Sequence, residues 1–89
     1  MAAPDQPLFE ALRECRKQLA EEHNLPAYVI FHDATLQQMA EQRPRNEVEL
    51  LNITGVGAAK LERYGTEFLD VIRTHNEASE AGNEYSGAA

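Results

Sequence analysis

Arg13, Arg16 and Lys17 are the residues whose types and spacing could first do chemistry. Positions three and four apart are neighbours on a helix, so these side chains share a face and form a compact basic patch. Such a patch is a phosphate-contact surface in one reading. In the other it is a solvated flank whose cations pair with Glu10, Glu14 and Glu21. A second candidate is Ile53-Thr54-Gly55-Val56-Gly57, a tight turn in which two glycines permit positive φ or close backbone approach. It leads into a helical stretch carrying Lys60 and Arg63. Free N–H groups at a helix start favour an anion, whereas glycines alone can simply let two helices approach.

The glycine turn is similar to the hairpin of helix-hairpin-helix DNA-binding elements, where backbone N–H groups face a phosphate. No catalytic constellation accompanies it. The chain has no Walker-type phosphate loop, no His-Glu-x-x-His and no nucleophile elbow. Asp33, Glu47 and Glu49 are read as helix-start residues that interact with the macrodipole. Cys15 is the single cysteine, which excludes an internal disulfide or a multi-cysteine metal cluster. His23, His32 and His75 fall at no metal-ligand spacing. No cofactor and no metal are expected.

The formal net charge is −7, yet residues 8–75 hold all 8 basic residues and only 11 of the 15 acidic ones. Nucleic-acid contact must therefore be local and weak rather than carried by overall charge. The chain has 89 residues, enough for one domain with a small core. It carries neither a membrane-length apolar run nor a signal-peptide pattern, so a cytoplasmic monomer is expected.

The elements follow from apolar spacing and stop signals. Residues 1–7 read as a disordered linker. Leu8, Leu12, Cys15 and Leu19 recur at i, i+4, i+7 and i+11, predicting one amphipathic helix from about Leu8 to His23. Pro26 ends it, and Leu25–Leu36 then forms a long apolar connection. Within that stretch Val29, Ile30 and Phe31 seal the core, and Asp33 caps the next helix. Leu36, Met39, Ala40 and Arg43 line one side of that helix, which Pro44 closes. Asn46, with Glu49 three residues later, starts a short helix in the manner of a capping box. After the glycine turn, a helix over Ala58–Tyr64 stops at Gly65. A last helix runs from about Thr66 to His75, and residues 76–89 read as a disordered acidic tail. The fold class is all-α: a compact bundle of about five short helices, with a long apolar loop between the first two.

Several motifs in order carry a more specific resemblance. They are Leu8-Phe9 with Leu12-Arg13, Pro26-x-Tyr28-Val29-Ile30-Phe31-x-Asp33-x-Thr35-Leu36, and Leu51-x-x-Ile53-x-Gly55-Val56-Gly57 with Lys60-Leu61 and Tyr64-Gly65. Together they resemble an HRDC domain, the helicase and RNase D C-terminal domain, in the form found in bacterial RecQ DNA helicases. The resemblance covers residues 8–75. It implies a non-catalytic accessory domain whose parent is an ATP-dependent 3′-5′ DNA helicase of repair and recombination, in the bacterial cytoplasm at the nucleoid. It also implies weak contact with single-stranded or branched DNA through Arg13, Arg16, Lys17 and Tyr28, with Lys60 and Arg63 as secondary contacts. Tyr28 could instead pack its ring on the core. The alternative function is a protein-interaction or regulatory module that docks on the helicase core or another protein, with the acids from Glu41 to Glu49 facing a basic partner.

Overall fold

A computed structural model describes the backbone of residues 6–88 and the side chains of residues 6–77. Five α-helices make up the fold: α1 Gln6–His23, α2 Ala27–Ile30, α3 Asp33–Gln42, α4 Glu47–Leu51 and α5 Ala58–Ala88. No strand occurs among the described residues. Residues 1–5 lie outside the described residues, as do the side chains of most of the expected acidic tail.

In α1, Leu8, Leu12 and Leu19 are buried as their spacing requires, but Cys15 is only half-buried. The buried stripe is rotated toward Arg16 and Ala20, which take the inward place expected of Cys15. Helix α1 ends in a left-handed turn at Asn24, φ 57°, and the Leu25 N–H donates to the Ala20 carbonyl at 2.9 Å. This is a Schellman closure in which asparagine takes the position usually held by glycine. Pro26 then prevents continuation.

The expected long apolar loop is mostly a helical turn. Pro26 supplies an extended N-cap, the Val29 N–H donates to its carbonyl at 3.0 Å, and α2 winds over four residues. Successive residues of a helical turn point around the axis, so four consecutive apolar residues cannot all face inward. Ile30 and Phe31 are buried, while Tyr28 is 61% and Val29 37% exposed. The expectation that Val29 seals the core is therefore corrected.

The cap of α3 also differs. His32 is the N-cap residue and Asp33 is the first helical residue. One position too late to cap, the Asp33 carboxylate instead lies 2.7 Å from Arg16 Nη1. Leu36, Met39 and Ala40 are buried as expected. Arg43 lies just beyond α3, in the left-handed C-cap conformation at φ 49°, before Pro44. The start of α4 matches its sequence signature: Asn46 Oδ1 accepts from the Glu49 N–H at 2.9 Å. Glu49 Oε1 returns a bond, but to the Arg45 N–H at 2.8 Å rather than to that of Asn46.

Gly65 does not stop a helix. One continuous α5 runs through it, merging the two expected C-terminal helices. A Cβ at Gly65 would meet Leu61 Cδ1 of the same helix at 2.7 Å, while Leu50 Cδ2 of α4 would lie at an ordinary contact distance of 3.6 Å, so this glycine makes room chiefly for the Leu61 side chain. Tyr64, Phe68 and Ile72 then form the inward stripe of α5. The Phe31 ring meets Phe68 edge-on at 5.0 Å between centroids and Tyr64 at 6.4 Å. These contacts tie the α2–α3 junction to α5, in the edge-to-face geometry that aromatic pairs prefer.

Candidate nucleic-acid interface

The carbonyl of Phe31 falls at the break between α2 and α3, where no helical N–H reaches it. Arg16 Nη1 donates to it at 2.9 Å and pairs with Asp33 at 2.7 Å. Arg16 itself is only 9% exposed. Its guanidinium therefore holds the α2–α3 junction against α1, and only a small part of it is left on the face it shares with Arg13 and Lys17. The physical cause is its place beside Leu12, Leu19 and Ala20 on the inward edge of the helix.

Arg13 and Lys17 remain outward. Arg13 pairs with Glu10 at 3.6 Å and stands 5.8 Å over the Phe9 ring. Lys17 is exposed and takes part in no ion pair among the described residues. Together with Arg16 they line a groove of about 720 Å³ that runs along α1 to Ala27, the first residue of α2. Glu10, Glu14 and Glu21 line the same groove, so its walls carry both signs.

Tyr28, the residue after Ala27, faces solvent and does not itself line this groove. One side of its ring stacks on His32, with centroids 6.1 Å apart and planes 25° from parallel. No helical spacing signals this stack in the sequence, because the chain leaves α2 at Phe31 in an extended conformation before it reaches His32. The stack holds the tyrosine ring in place, and exposed rings of this kind accept a base on the free face.

Lys60 and Arg63 do not line this groove. Lys60 Nζ sits 5.8 Å over the Phe31 ring, a cation–π contact that turns the ammonium toward the α2–α3 junction. Arg63 is exposed on α5, one helical turn before Glu67. In the glycine turn, Gly55 takes φ +93°, and a Cβ there would collide with Thr35 Oγ1. The Thr35 hydroxyl donates to the Thr54 carbonyl at 3.0 Å, and the Thr54 N–H donates to Gln38 Oε1 at 3.0 Å. The turn is thus docked on α3, which accounts for Gly55 by close packing. Gly57 faces open space and offers its carbonyl to the Leu61 N–H at the start of α5.

On the other flank of α1, burial pushes the Cys15 thiol up to about 11, with Glu67 and Glu22 adding to the rise. Alkylation by iodoacetamide at pH 8 should be on the order of 100-fold slower in the folded chain than in the denaturant-unfolded one, as the thiolate fractions require. Equal rates would show the thiol to be exposed. Because the folded state favours the neutral thiol, its contribution to stability is present below about pH 8.5 and is lost as pH rises toward 11.

Among the described residues no helix is long and apolar enough to cross a membrane, and no cluster of His, Cys, Asp and Glu could hold a metal ion. Five helices around an aromatic-centred core, with an exposed tyrosine beside a groove walled partly by cations, define a small helical accessory module. The HRDC domain profile matches residues 5–72, and the chain belongs to this family. It is 48% identical over 75 residues to the ATP-dependent DNA helicase RecQ of Pasteurella multocida, covering 84% of this chain and 12% of that protein. The chain thus spans about 12% of the length of such relatives. The D. radiodurans RecQ HRDC domain 3 superposes with a TM-score of 0.73 at 43% identity, covering 75% of this chain and 88% of that one. The HRDC1 domain of RecQ from the same organism gives 0.58 at 52% identity, covering 82% and 97%. HRDC is an accessory domain of RecQ helicases.

Proposed function

We propose that this domain is the accessory part of a RecQ-family ATP-dependent DNA helicase, where it weakly binds single-stranded or branched DNA and tunes how the parent engages its substrate. The observation that carries this reading is Tyr28, 61% exposed on α2, next in the chain to Ala27, which closes the groove that Arg13 and Lys17 line. A base stacks on the free face of the ring while the two cations follow the adjoining phosphates. Arg16 acts one step back, holding α2 where Tyr28 can be reached. Glu10, Glu14 and Glu21 keep the affinity low, and the domain adds to a grip made elsewhere in the parent.

A labelled oligo-dT titration at low salt tests this. Tyr28→Ala should weaken binding roughly 5- to 150-fold, the range expected for about 1–3 kcal/mol of stacking. Its melting temperature should barely move, since the ring is mostly in water. Log affinity should fall with log salt at a slope of about −1.4 for two phosphates met, and Lys17→Ala should reduce that slope by about 0.7. Unchanged binding in both variants would refute the interface.

A further inference from the structure

Two shallow hollows of about 410 and 260 Å³ lie along α1 and α5, and they share Ala11, Asp70 and Val71 in their walls. They form one groove on the flank of α1 away from Arg13 and Lys17. The floor is apolar, built from the half-buried Ala11, Cys15 and Val71, of which Cys15 and Val71 pack against the core. Ala11 has no side chain beyond Cβ and so leaves room above it. The rim is acidic: Glu14 on α1 and Glu67 and Asp70 on α5. Neither Lys nor Arg lines either hollow. Arg73 pairs with Asp70 at 3.0 Å from outside the groove, while Glu14 and Glu67 form no ion pair among the described residues.

This trough shares only Glu14 with the groove proposed for DNA, and it has no Lys or Arg on its walls to offset its carboxylates toward a phosphate backbone. We infer that the α1–α5 groove of this domain is a docking surface for a basic amphipathic helix of another polypeptide. Apolar side chains at i, i+3 or i+4 of that helix would sit over Ala11 and Val71, and its Lys or Arg residues would meet Glu14 and Glu67. The grounds are charge complementarity and the helix-in-groove mode of recognition, which needs only two helices with small residues between them. The negative potential is already felt inside the groove, where Glu67 adds to the raised Cys15 thiol. The acidic segment Glu41–Glu49 borders a hollow of about 320 Å³, but Gln42, Glu49 and Asn52 make its walls polar, with Pro44 the one apolar residue, and Glu49 is committed to the cap of α4.

The test is a titration of the isotope-labelled chain with a synthetic peptide of about 14 residues, Leu at helical a and d spacing and Lys elsewhere, followed by amide shifts. Saturable binding should move the amides of Ala11, Cys15, Glu67 and Val71, and alkylation of Cys15 at pH 9 should slow with the same midpoint. Glu67→Lys, at an exposed position, should weaken the peptide at least 10-fold, as should Ala11→Gln, which fills the trough. Oligo-dT binding should be unchanged in the Glu67→Lys variant. Equal affinity for a scrambled peptide of the same composition would reduce the effect to bulk charge and overturn the inference. So would peptide-induced shifts outside the groove. Groove amides that move with protein concentration alone, together with dimers in sedimentation, would assign the groove to a second copy of the chain and also overturn it.

Discussion

Arg16→Ala should destabilise the domain by about 2–4 kcal/mol, lowering the melting temperature by roughly 10–25 °C at the sensitivity of a domain this size. The substitution leaves the buried Phe31 carbonyl without its donor and opens space between α1 and the α2–α3 junction. Most of the loss comes from that carbonyl and from packing. The Asp33 carboxylate is 66% exposed, so its side of the ion pair is screened by water. Asp33→Asn should therefore cost about 1 kcal/mol or less. Arg16→Met should fall between the two, because it keeps the apolar stem and removes the buried Nε–H that has no partner. Thermal melts of the three variants check the order. An Asp33→Asn loss equal to that of Arg16→Ala would show the ion pair, rather than the carbonyl, to be the dominant tie. A surface role for Arg16 predicts instead a melt indistinguishable from the parent chain.

Gly55→Ala is the second large expected effect, about 2–4 kcal/mol destabilising. Two costs combine at one residue. At φ +93° a side chain is strained whatever the space, and here the new Cβ meets the Thr35 hydroxyl, which already donates to Thr54. Moving Thr35 aside would break that bond and loosen the turn from α3. Adding Thr35→Ala to Gly55→Ala should therefore cost less than the sum of the singles, by about 1 kcal/mol, because the collision is gone while the backbone strain remains. Gly57→Ala, facing open space, should change stability by no more than about 0.5 kcal/mol. Equal losses at Gly55 and Gly57 in urea unfolding would contradict the packing account of the turn.

These residues also mark where sequence and structure part. Apolar spacing located α1 and α3, because Leu8, Leu12, Leu19, Leu36 and Met39 follow the helical period and are buried. Local capping chemistry was legible wherever it was self-contained, as at Asn46 and Glu49. What failed depended on a neighbour distant in sequence. Gly65 looks like a stop until it is seen buried within a continuous α5, with α4 packed alongside. A cation on a helical wheel has no inward or outward sign of its own, and Arg16 turns in because an unpaired carbonyl fifteen residues on needs a donor. The run Tyr28–Phe31 was marked correctly as apolar, but its division into two buried and two exposed residues follows from the turn of α2, which Pro26 initiates. The motifs of the family were the most transferable signal, because they record such long-range requirements in a fixed order.

The interface rests on Tyr28 and the α1 groove acting together. Amide shift mapping of the labelled chain with oligo-dT at low salt is the most direct test. Shifts should concentrate on Arg13, Lys17, Ala27 and Tyr28, with His32 following Tyr28 through their stacked rings, and the Ala11–Val71 flank should stay still. Shifts confined to the Gly55–Lys60 turn, or no shifts at millimolar oligonucleotide, would contradict the account.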